Sequence, residues 1–147
     1  MVPQVKSVVA ITPISKAASG TAVGEFIDTK DWDYVNISVC ATTVGVVSNT
    51  ISSLIIEEGD TTSSVATFTG AVSGTDYTVA TNCYTATGAT AQNIWTFGVD
   101  TRYRKRYLRV SAAPRTTMIF GGTAVLSRGT KAPGTAAEAG ALNAIFV

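Results

Sequence analysis

The chain has 147 residues, of which 46% are hydrophobic and 14% charged, with 11 Lys and Arg against 10 Asp and Glu, and no His. A length near 150 residues makes one domain with room for a real core, and 23 Thr, 17 Val and 20 Ala among so few charges describe neither a charged helix nor a disordered polymer. Without His there is no Ser-His-Asp or Cys-His catalysis, no imidazole acid–base step and no His metal ligand.

In chain order, Met1-Val2-Pro3-Gln4 leads into a first strand from Val5 to Ile11, and its broken apolar run is too short for a signal peptide, so an unprocessed N-terminus is expected. A short strand follows at Val23 to Ile27. The clearest strand is Tyr34 to Ala41, where Val35, Ile37, Val39 and Ala41 share one face and Asn36 and Ser38 take the other. Cys40 lies inside it and is expected to be a small buried core thiol. Ser53 to Glu57 is apolar on both faces, as in a central strand, with a turn expected at Gly59-Asp60 before Val65 to Phe68. Tyr77 to Ala80 then reads as a strand, and Thr81 to Ala91, which holds Cys83, as a polar loop.

Asn93 to Val99 puts Trp95, Phe97 and Val99 on one face, and Tyr107 to Ser111 points Leu108 and Val110 inward with Arg109 outward. Thr117 to Ser127 carries Met118, Phe120, Ala124 and Leu126 on one face, with a bulge or kink expected at Gly121-Gly122. Eight or nine strands separated by Thr, Ser, Gly and Asp turns make an all-β, antiparallel two-sheet sandwich, either immunoglobulin-like or a jelly roll. An immunoglobulin domain takes about seven strands in about 100 residues, so the longer chain favours a jelly roll of about eight strands.

One domain is expected over 1–147, with an N-terminal arm and first strand at 1–22, the sandwich at 23–127 and a tail at 128–147. The tail is rich in Gly, Ala and Pro and closes on Ala144-Ile145-Phe146-Val147, an apolar end with no evident strand partner, so extended arms are expected at both termini. No run approaches the 18 or so apolar residues of a membrane span, and no membrane partner is expected. Cys40 and Cys83 do not form a Cys-x-x-Cys pair, so two free thiols are expected.

Charge is unevenly spread: eight of the ten acids precede residue 80, while eight of the eleven bases follow residue 100. Either early and late strands pair their charges as neighbours, or a bipolar surface docks on a partner or on a copy of itself. Asp28-Thr29-Lys30-Asp31-Trp32-Asp33 and Glu57-Glu58-Gly59-Asp60 are the carboxylate clusters. Neither has the spacing of an EF-hand loop, so solvated turns are expected rather than calcium sites, and no metal or cofactor. Nothing in the spacing sets a glycosidase carboxylate separation.

Arg102-Tyr103-Arg104-Lys105-Arg106-Tyr107-Leu108-Arg109 interleaves bases with aromatics as nucleic-acid contacts require. A net charge of +1 is far from the strongly basic domain of a nucleic-acid binder, so these arginines are expected to pair with acids or with another chain. No dinucleotide fingerprint, P-loop or nucleophile elbow is present. Asn36-Ile37-Ser38 matches a glycosylation acceptor but falls within a strand.

Phe26-Ile27-Asp28-Thr29, then Trp32-Asp33-Tyr34-Val35-Asn36-Ile37-Ser38-Val39, then Ser53-Leu54-Ile55-Ile56-Glu57-Glu58-Gly59-Asp60-Thr61 are followed by Arg104-Lys105-Arg106-Tyr107-Leu108-Arg109-Val110 and by Ser127-Arg128-Gly129-Thr130-Lys131-Ala132-Pro133. In this order and spacing, over most of residues 24 to 133, they resemble the small jelly-roll cement, or decoration, proteins of tailed-bacteriophage capsids. Gly59 stands where that family's acidic turn is expected to have Ser. The resemblance implies a non-enzymatic virion protein, made in the host cytoplasm and carried on the outer capsid surface. It would form homodimers or homotrimers and clamp neighbouring capsomers of the major capsid protein. On that reading Val2, Val5 and Val8 of the N-terminal arm and Arg128, Lys131, Ile145 and Phe146 of the tail make intersubunit or capsid contacts, with Arg102, Arg104 and Arg109 as a second patch. The alternative is a phage receptor-binding or carbohydrate-binding jelly roll that sets Trp32, Tyr77, Tyr84 and Tyr103 against sugar faces.

Overall fold

Period-2 alternation through most of the chain demands two sheets that bury one face each, and the computed structural model, which describes residues 5–18, 20–43, 51–72, 92–128 and 144–146, has that architecture. The described residues form β1 (Val5–Lys16), β2 (Ala22–Val23), β3 (Ile27–Asp28), β4 (Tyr34–Thr43), β5 (Ile51–Thr61), β6 (Ser64–Val72), β7 (Gln92–Asp100), a single 3-10 turn (Thr101–Tyr103), β8 (Tyr107–Pro114), β9 (Met118–Ser127) and β10 (Ala144–Phe146). One sheet runs β1-β9-β4-β7-β10, and the other runs β2-β8-β5-β6 with β3 also on β8. With β2 and β3 read as one interrupted strand, β1-β9-β4-β7 facing β2/β3-β8-β5-β6 is the strand order of a jelly roll.

The core lies between the sheets. Val35, Ile37, Val39 and Ala41 of β4, Trp95, Phe97 and Val99 of β7, and Met118, Phe120, Ala124 and Leu126 of β9 are all buried. They belong to one cluster with Leu54 and Ile56 of β5 and Leu108, Val110 and Ala112 of β8. Each large side chain moved from water into this layer contributes about 1.5–3 kcal/mol, and the β-branched Val, Ile and Thr of these segments favour the extended backbone that places it there.

Several local expectations are corrected. The strand expected from Val23 to Ile27 is split, because Gly24 donates its N–H to Val110 O of one sheet (2.8 Å) while Glu25 donates to Ala10 O of the other (2.9 Å). The chain thus bonds to both sheets within two residues before rejoining β8 as β3. A Cβ on Gly24 would lie 2.2 Å from Ala10 O, so this corner requires glycine. Gly59-Asp60 is not the turn: both lie within β5 and the hairpin turns at Thr62-Ser63. Gly59 sits there because a Cβ would meet Ser64 O at 2.3 Å, beside a register shift between β5 and β6.

The irregularity expected at Gly121-Gly122 lies in the strand opposite. β9 runs in unbroken register with β4, whereas β1 shifts register at Val9/Ile11 and again at Ile11/Ile14. Ala10 and Ile11 are in consequence both buried, although they are adjacent. Cys40 is exposed and free, not a core thiol. Its neighbours Val39 and Ala41 point inward, so alternation turns Cys40 outward. The apolar C-terminus does have a strand partner, since β10 pairs with β7 in parallel. The expected strand at Tyr77–Ala80, the loop at 81–91 and Cys83 lie outside the described residues.

Candidate functional site

Two surfaces carry the residues singled out by sequence. The first is the pole of the sandwich where β3 leads into β4, β7 into β8, and β9 ends. Short contacts lock this pole together. Thr29 donates both its N–H (2.9 Å) and its Oγ1 hydroxyl (2.7 Å) to Arg106 O, Asp33 N–H donates to Ser127 O (3.2 Å), and Thr101 N–H donates to Asp33 O (2.9 Å). The Thr101 hydroxyl donates to Trp32 O. Thr29 and Thr101 are buried, and these bonds satisfy their hydroxyls. Asp31 takes a positive φ of 67° in the loop, a conformation Asp tolerates better than most residues. Asp100 caps the 3-10 turn, its Oδ1 accepting from Arg102 N–H at 3.1 Å.

Onto this frame the chain hangs arginines that each meet an aromatic ring. Arg102 lies 5.1 Å from the Tyr34 ring centre, Arg106 4.9 Å from Tyr107, Arg109 5.0 Å from Phe26 and Arg128 5.6 Å from Trp32. Most also reach a carboxylate. Arg106 donates through Nε (2.9 Å) and Nη2 (2.7 Å) to Asp28, Arg109 through Nε to Glu57 (2.9 Å), and Arg102 through Nε to Asp100 (2.9 Å). Lys105 Nζ stands 3.6 Å from Asp60, and its N–H donates to Glu58 (3.1 Å). Arg128 donates Nε to Asp31 O at 2.6 Å. Lys105, Arg106 and Arg109 therefore meet the early acids Asp60, Asp28 and Glu57 across the sheet, as in the first of the two explanations for the charge asymmetry, whereas Arg102 pairs with Asp100 two residues before it. The guanidinium of Arg106 holds the Asp28 carboxyl down at about 2, and Arg102 lowers that of Asp100. Asp28, Glu57 and Asp60 are each paired with one of these cations and Glu58 accepts the Lys105 N–H, so each carboxylate cluster contributes to ion pairs, and no group of three or more possible metal ligands occurs among the described residues.

The second surface is the outer face of the sheet β1-β9-β4-β7. Register aligns Ser7, Val125, Asn36 and Gly98 in one row and Val9, Thr123, Ser38 and Thr96 in the next, with Gly121, Cys40 and Ile94 below. None of these residues is charged. Val5 is 54% exposed, Val9 50% and Ile94 59%, and Ile119 and Val125 are also exposed. At the pole end of this face Asp100 is neutralised by Arg102 above Tyr34.

Of the sequence candidates, Arg102, Arg104 and Arg128 are brought together at the pole, and Arg109 lies one residue beyond Leu108 on β8 with its side chain only 22% exposed. Arg104 closes the 3-10 turn by donating its N–H to Thr101 O. Val5 lies on the uncharged face, opposite Ser127, whereas Val8 packs against the core. Ile145 and Phe146 lie in β10 opposite Phe97 and Gly98, and Val2 and Lys131 lie outside the described residues. Trp32 also packs against the core, Tyr103 is 88% exposed, and Tyr77 and Tyr84 lie outside the described residues. Sequence reading missed Val9, Ile94, Ile119 and Val125. The alternation that put their neighbours inside carries the signal for them, since it leaves Val9, Ile94, Ile119 and Val125 on the other parity of β1, β7 and β9.

No helix among the described residues is long and apolar enough to cross a membrane. No protein-family model matches the chain, and no curated protein or solved structure matches it either.

Proposed function

We propose that this chain is a non-enzymatic structural protein of a phage virion, which binds the outside of the capsid and clamps neighbouring capsomers of the major capsid protein. The observation that carries the reading is the uncharged outer face of β1-β9-β4-β7, with Val5, Val9, Ile94, Ile119 and Val125 exposed among hydroxyl side chains. A face of this kind adheres to a protein shell by apolar burial and many weak polar contacts, without the desolvation cost of buried charges. The opposite chemistry at the pole suits solvent, because its arginines are already paired. The ordered motifs that resemble cement proteins point the same way. The carbohydrate-binding alternative draws less support, because Trp32 is engaged by the core and by Arg128.

The test is sedimentation of capsids lacking the protein after mixing with purified chain. Saturable co-pelleting at a fixed ratio to the major shell protein, with a higher disruption temperature, is the expected result, since a ligand that binds only the intact shell stabilises it. Absence of co-pelleting, with binding instead to host glycans, would replace this reading by the receptor-binding one.

A further inference from the structure

We infer that the outer edge of β7 is a strand-accepting slot, and that its occupant in the assembled protein is the C-terminal strand, Ala144–Phe146, of a second copy of this chain. The inference rests on the reading that the chain assembles with copies of itself on a shell, and it names the segment and seat through which the copies connect.

β10 pairs with β7 in parallel through Ala144 opposite Thr96, Ile145 opposite Phe97 and Phe146 opposite Gly98. Every other strand pair is antiparallel among the described residues. A hairpin strand such as β6 is bound to its neighbour by a tight turn and cannot be lent to another molecule, whereas β10 arrives through a long connection that fixes no particular partner. Residues 129–143 separate Arg128, at the end of β9, from Ala144. Fully extended, that length of chain spans roughly 50 Å, enough to reach the same edge on an adjacent copy.

The two strands of the pair are unequal. β7 is held by Trp95, Phe97 and Val99 in the core and by nine register pairs with β4, so it is the fixed member. β10 has three register pairs and is the member that leaves. It also fills the slot only in part: of the nine residues of β7, Gln92–Trp95 and Val99–Asp100 face no described strand on that edge. Exchange of an identical strand between copies reuses one set of contacts at little cost and closes symmetric oligomers.

The test places cysteines at paired positions in the full chain, Thr96→Cys with Ala144→Cys, in a background where Cys40 and Cys83 are replaced by Ser. Two preparations differing in an N-terminal tag are mixed and oxidised with diamide, alone at rising concentration and on capsids lacking the protein. The expected result is intrachain closure in dilute solution and disulfide-linked dimers carrying both tags on concentration or on capsids. Intrachain closure alone under every condition overturns the inference. Should the cysteine variant not fold, p-benzoylphenylalanine in place of Phe146, in a mixture of light and heavy-nitrogen chains, reads the same contact, and crosslinks to residues 92–100 of the other isotope are required. Capsid binding with intrachain links alone overturns the exchange and leaves the capsid reading intact, whereas mixed dimers without capsid binding do the reverse.

Discussion

On the outer face of β8, Arg109 sits opposite Glu57 and over the Phe26 ring, with Arg106, Asp28 and Tyr107 continuing the ladder towards the pole. On the outer face of β9, Val125 sits between Ser7 and Asn36, and Thr123 between Val9 and Ser38. The same alternation builds both faces around one core, and only the outward parity differs. In the first, polar residues satisfy one another within the molecule and little is left for a partner. In the second, apolar side chains remain in water with no internal partner to cover them, which is the state in which a protein surface gains most from association.

The largest expected effect falls on the corner that joins the two faces. Gly24→Ala forces a Cβ against Ala10 O and pushes β1 away from β2, so urea unfolding should show a loss of about 3 kcal/mol. A midpoint within experimental error of the parent would mean that the two faces are not coupled there. Next comes the ladder: Arg109→Ala leaves Glu57, only 18% exposed, without its cation and uncovers Phe26. The same titration should show a loss of about 2 kcal/mol. Arg109→Lys keeps the charge but not the planar contact with the ring and recovers only part of it.

Smaller still is the effect of a charge on the uncharged face. Val9→Lys or Val125→Lys, on exposed outward positions, should change folding stability by no more than about 0.5 kcal/mol, against the large loss at Arg109. The smallest effect is acid sensitivity of the Asp28–Arg106 pair. Because the Asp28 carboxyl is held at about 2 in the fold, below its ordinary value, the pair's stabilisation is complete above about pH 4. It is lost as pH falls from there through about 2. Asp28 is 39% exposed, so water screens the pair and thermal melts should show a loss of about a degree or two that Asp28→Asn abolishes.

Much of this contrast was legible in the sequence. β4, β7, β8 and β9 announce themselves because their large core side chains, such as Val35, Ile37 and Val39 or Trp95, Phe97 and Val99, recur at period 2, and length favours the jelly roll over the immunoglobulin sandwich. The ion pairs were foreseeable as a class, but Glu57 with Arg109 and Asp28 with Arg106 depend on register between strands 52 and 78 residues apart, which no local pattern encodes. Gly59 reads as turn punctuation and Gly24 as part of a short strand, and only the approach of Ser64 O and Ala10 O from returning or distant strands shows why they must lack a side chain. Cys40 was misread because residue type suggested burial while its position in the alternation dictated exposure. β10 was invisible because three residues carry no periodicity, and a parallel pairing across the tail leaves no turn signal.

The central claim is that the uncharged face, and not the arginine pole, meets the shell. Its most direct test is co-sedimentation with capsids lacking the protein, comparing Val9→Lys/Val125→Lys with Arg102→Gln/Arg104→Gln, both checked to be folded. The account predicts that the lysine pair weakens capsid binding at least tenfold while the glutamine pair binds as the parent does. The reverse ranking, with the lysine pair bound normally and the glutamine pair released, would contradict it.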